Sequence, residues 1–164
     1  MNKLSIGPTP LRNRILTNGF YYEPLFYQDG KLYEKSRIWF FYEDGTVFHL
    51  WVDNIEKIGI DSIFKHASQQ INSMPNAELK QELHHWGVVK IDNNSAFVLQ
   101  GWAAGSGRPI ITKGGTIHTD SIITFDWSQG GHINKEKTFS ATKLTFYTYR
   151  DRPHKADLTP YIKD

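Results

Sequence analysis

From Ile38 to Val52 the chain reads IWFFYEDGTVFHLWV, two apolar runs rich in rings on either side of Asp44-Gly45. This pattern predicts a β-hairpin, because both turn residues tolerate the positive φ of a two-residue loop. Such a loop sets Tyr42 opposite Val47, Phe40 opposite His49 and Ile38 opposite Trp51. On the other face Phe41 meets Phe48 and Trp39 meets Leu50. Both faces are then apolar, whereas a hairpin with one face in water alternates apolar with polar. The hairpin is therefore expected between two packed layers, a barrel interior on one side and a cover on the other.

The cover is expected from the next segment. Ile60, Ile63, Phe64, Ala67 and Ile71 recur at helical spacing, with Asp61 or Ser62 near the start. After Pro75, Leu79 and Leu83 predict a second short helix, so residues 54–85 read as a helical insertion. Strands flank it. Gly19–Tyr27 and Lys31–Tyr42 precede the first clear turn and are joined at Asp29-Gly30, with Pro24 marking a bulge or an edge. Trp86–Asp92 and Ser95–Trp102 form a hairpin at Asn93-Asn94, and Pro109–His118 and Ser121–Trp127 form another at Thr119-Asp120. A Gly-rich loop then leads to a last strand, Ala141–Arg150. Residues 1–14 read as an irregular lead-in and 151–164 as an extended, partly ordered tail, so residues 1–164 make one domain. About eight short strands joined by tight turns predict a mainly β fold, an antiparallel meander closing into a barrel with the helical insertion packed outside. A barrel of about eight strands holds one small ligand or fills with side chains.

The ordered set TNGFYY, FYEDGTV, a helical stretch, WGVVKIDNNSAFVLQGW and GTIHTDSIITF resembles the lipocalin-like, calycin-type small domain proteins of Bacteroidetes, over most of residues 17 to 127. The resemblance implies a lipocalin-like barrel and an apolar ligand, and no particular reaction. Lipocalins proper carry Gly-x-Trp on the first strand, its indole under an arginine at the end of the last strand. The positions that correspond here are Gly19, Tyr21 in place of the Trp, and Arg150.

Composition narrows the picture. The net charge is +2, from 19 Lys and Arg against 17 Asp and Glu, with the signs interspersed. No basic stripe follows a row of phosphates, so nucleic acid is not expected as a partner. Without cysteine there is no disulfide, thiolate nucleophile or cysteine zinc site. No apolar stretch fits a signal peptide, and none of about 18 residues fits a membrane span. A soluble chain is expected, either cytoplasmic or exported and trimmed.

Aromatics make up 14% of the residues, and rings suit a lined cavity. Tyr21, Tyr27, Phe40, His49, Trp51, Phe97 and Trp102 are the candidate ligand-binding residues. His49 is either a hydrogen-bonded core histidine or a group that orients a ligand or binds haem iron. No metal site or cofactor is expected, because adjacent His84 and His85 lack the spacing that puts two imidazoles on one helix face. His118 beside a turn reads as a surface residue, and Gly101–Pro109 as a loop at the barrel mouth. Glu23, Glu34 and Asp126 are the strand carboxylates, with solvent-facing positions the default for all three. Binding of a small, partly apolar ligand is the expected function, with no catalysis assumed. The alternatives are a barrel isomerase or lyase using Tyr, His and Glu for proton transfer, or an interaction module that presents residues 54–85. Self-association is left open.

Overall fold

The computed structural model describes residues 2–26, 29–73, 83–92, 95–131, 134–150 and 154–163. Eight strands run β1 (Gly19–Glu23), β2 (Lys35–Phe41), β3 (Thr46–Asp53), β4 (Trp86–Ile91), β5 (Ala96–Trp102), β6 (Ile110–Thr119), β7 (Ile122–Gly130) and β8 (Asn134–Thr148). Each pairs antiparallel with its neighbours in sequence, and β8 closes onto β1, so the meander is a closed barrel.

The β2–β3 hairpin has two apolar faces, as its composition requires, but its register differs from the expected one by one residue. Trp39 stands opposite His49, Phe40 opposite Phe48 and Arg37 opposite Trp51. The Tyr42 amide bonds to the Thr46 carbonyl at 2.9 Å, so the loop is Glu43-Asp44-Gly45 rather than Asp44-Gly45. Gly45, at φ +87°, supplies the left-handed residue that a three-residue loop needs as much as a two-residue one does. The inward face of the hairpin is then Arg37, Trp39, Phe41, Val47, His49 and Trp51, while Ile38, Phe40, Phe48 and Leu50 face outward.

The cover is present. Helix α1 (Ile55–Ile58) leads through Gly59 at φ +73° into α2 (Ile60–Ser73). On α2, Ile63 and Ala67 are fully buried against Phe20, Phe40 and Val52, and Phe64 stacks on Tyr149 with ring centroids 5.2 Å apart. The second predicted helix lies mostly outside the described residues, which resume as a 3-10 turn at Leu83–His85.

The chain ends also join the outer layer. Leu4 pairs in parallel with Ile162, and Leu158 is buried in the same cluster. A last difference concerns the Gly-rich stretch after Trp127, expected as a loop. There β7 continues to Gly130 and β8 begins at Asn134, making a long hairpin. Residues 135–141 are exposed, so the apolar alternation that marks a strand is missing from them.

Candidate functional site

The lumen has two unlike halves. At the end where β2 meets β3, residues from seven strands form one buried apolar cluster that includes Tyr21, Phe41, Val47, Phe97, Ile123 and Leu144, with Ile117 of β6 packed against it. The lead-in closes this end: Leu11 and Ile15 are fully buried in the cluster. The Thr9 and Leu11 amides bond to the carbonyls of Val89 and Glu43 at 3.1 and 3.0 Å. The Tyr21 hydroxyl accepts from the Leu16 amide at 2.9 Å and donates to the Asp120 carbonyl. Burial pushes the Tyr21 phenol well above its ordinary range, against the pull of the Leu16 amide. Tyr21 is thus a clamp in the closed half. The rings against it are Phe41 and Phe146, and Arg150 is exposed beyond β8.

The opposite half is polar and open. Pro24 cannot extend the ladder, so β1 stops at Glu23, while the part of β8 before Leu144 has no strand partner on that side among the described residues. A pocket of about 220 Å³ occupies this gap, bordered by Glu23, Leu25, Phe26, Lys113, Phe125 and Thr142. A second void of about 30 Å³ adjoins it at Lys113 and is bordered also by Arg37, Trp39, His49, Leu99 and Gly101. It has room for one water-sized group, at about 30 Å³ each.

Four polar side chains meet here. The Glu23 carboxylate, side chain 3% exposed, accepts from the Trp39 indole at 2.5 Å and lies 3.9 Å from both the Arg37 guanidinium and the Lys113 ammonium. Arg37 sits over the Trp51 ring at 4.3 Å and the Trp39 ring at 5.3 Å, a cation–π arrangement. Burial lowers the Lys113 pKa, the Glu23 charge opposes this, and Arg37 adds to it. His49, its ring 4.7 Å from that of Trp39, is held well below the ordinary imidazole range by burial, reinforced by Arg37, His85, His84 and Lys113. It is neutral at pH 7. Its carbonyl is bonded by His85 Nδ1 at 3.0 Å, and its own Nδ1 is buried with no hydrogen-bond partner among the described residues.

Of the seven residues expected to bind ligand, His49 and Trp51 stand in the open half, and Tyr21 and Phe97 in the closed half. Phe40 faces outward, packed with Phe20 and Phe48 because the true register turns it away from His49. Trp102 belongs to the outer cluster, donating to the Asn2 carbonyl at 2.9 Å, and reaches only the edge of the small void. Tyr27 lies outside the described residues. The default that put Glu23 in solvent is overturned by its burial, and Arg37, Trp39 and Lys113 were missed. Glu34 is exposed, and Asp126 accepts from the Thr116 and Thr124 hydroxyls at 2.6 and 2.7 Å. The one signal for Lys113 is its place on a strand two residues before Gly115, opposite apolar Leu99. Among the described residues no cluster of His, Asp and Glu is arranged to hold a metal, and no helix is long and apolar enough to cross a membrane.

Compared with family models, with curated proteins and with solved structures, the chain matches none.

Proposed function

We propose that the open half of the barrel binds a small ligand with an apolar body, and that the chain is a lipocalin-like protein of the calycin kind. The observation that carries the reading is the lumen's asymmetry: a packed apolar half, and opposite it an open half where Phe125 borders the larger pocket and Trp39 the small void, beside the charged ends of Glu23, Arg37 and Lys113. Binding sites combine such walls with a few polar groups that fix orientation. The rings supply affinity through buried area, about 25 cal/mol per Å², and His49 and Trp51 orient the ligand. The closed eight-stranded meander supports the lipocalin-like reading. The apolar side of α2 is packed on the sheet, which favours ligand binding over presentation of that helix to a partner protein.

The test is native mass spectrometry of the purified protein before and after organic extraction. A retained small molecule that extraction removes is the expected result. A single unliganded mass before and after, unchanged by incubation with a panel of small apolar acids and alcohols, would overturn the reading.

A further inference from the structure

The charges inside the mouth do not balance. One carboxylate, Glu23, faces two cations, Arg37 and Lys113, whose side chains are each 16% exposed. Both cations stop 3.9 Å from its oxygens, beyond the 2.7–3.2 Å of a hydrogen bond. The Glu23 oxygen nearer Arg37 is already engaged by the Trp39 indole. Arg37 Nε is buried with no partner among the described residues. A buried cation without a hydrogen-bonded counter-ion is costly, and burial itself strains Lys113 against its charge. Lys113 borders both the pocket and the small void, and Arg37 borders the void alone. An acceptor entering through the pocket therefore meets Lys113 first and Arg37 next.

Resting on the ligand-binding reading above, we infer that the ligand is a monocarboxylic acid whose carboxylate docks between Lys113 and Arg37, while its hydrocarbon or aromatic body fills the pocket beside Phe125. One added negative charge balances the mouth, and a carboxylate supplies acceptors for the donors that Glu23 does not reach. Glu23 is a positioning residue. It keeps the two cations from repelling each other in the empty state and limits the ligand to a single charge. The pocket, at about 220 Å³, takes about seven water-sized groups of about 30 Å³, so the acid is the size of hexanoate or phenylacetate.

The test compares hexanoate and phenylacetate with hexanamide and phenylacetamide, which keep shape and lose charge, by calorimetric titration of the intact wild-type chain. The acids are expected to bind at least tenfold more tightly than their amides. Lys113→Met should weaken acid binding more than amide binding and so narrow the gap between them, and Glu23→Gln should strengthen acid binding. Equal affinity for acid and amide overturns the carboxylate assignment while the cavity reading stands. Failure of all four probes overturns both. The wild-type comparison needs no variant, so misfolding of Glu23→Gln leaves the decision intact.

Discussion

His49 sits uncharged near two partly buried cations, and that makes its ring a point where acid acts on the fold. In the unfolded chain the imidazole takes up a proton below about pH 6.5, whereas in the folded barrel burial and the neighbouring positive charges hold it neutral to well below that. The unfolded state therefore binds more protons in this window. Stability present above about pH 6.5 is lost as the pH falls, by up to about 1.4 kcal/mol per unit. Urea unfolding of the wild type and His49→Phe between pH 7.5 and 4.5 isolates the contribution of this one group. The variant should show the shallower decline, and parallel curves would mean that the ring is protonated in the folded state as well.

The β2–β3 turn shows what an element's sequence does and does not reveal. Gly45 has a positive φ, and a Cβ there would stand 2.5 Å from the Thr9 carbonyl oxygen and 2.9 Å from that of Val89. The turn, β4 and the lead-in thus meet at one hydrogen atom's width. Gly45→Ala should cost about 1–3 kcal/mol, combining strained backbone with a forced shift of the lead-in and β4. Thermal or urea melting checks this, and a change under about 0.5 kcal/mol would show that the lead-in yields freely. Eight strands and the covering helix were legible in the sequence, because short apolar runs and helical spacing are local. The turns were less so, since the β6–β7 turn falls at Asp120-Ser121 rather than the expected Thr119-Asp120, and Asn93-Asn94 lies outside the described residues. The length of the β2–β3 loop was not legible, since glycine at its last position serves two loop types. An apolar residue on either face of Ile38–Phe41 also hides a one-residue slip that alternation would otherwise expose. That slip placed Phe40 rather than Trp39 beside His49, and with it went the chance to see Arg37 as inward-facing. Lys113 and Glu23 were hidden by a sound general rule, that charges on strands face water, which fails where charged side chains meet inside a lumen.

Across the whole molecule, the two chain ends act as one strap over the outer layer. The Leu4 amide bonds to the Tyr161 carbonyl at 2.9 Å, and Lys163 returns a bond to the Leu4 carbonyl at 2.8 Å. Lys155 pairs with Asp44 at the second turn, and Trp102 is sealed beneath Asn2 and Tyr161. Removing residues 154–164 should lower the melting temperature markedly, with the burial of Leu158 alone contributing about 2 kcal/mol. It should also open Trp102 to acrylamide quenching. Unchanged melting and quenching would show that the barrel stands without its strap.

The division of the lumen has a consequence for how such a protein changes over generations. The apolar cluster at the plugged end holds the fold, and Glu23, Arg37 and Lys113 stand outside that cluster. Substitutions at Glu23, Arg37 or Lys113 can alter the charge that the mouth accepts while the plugged end keeps the chain folded. With ligand binding as proposed, such a barrel can be passed from one small molecule to another by changes at these three positions, without first finding a new way to fold.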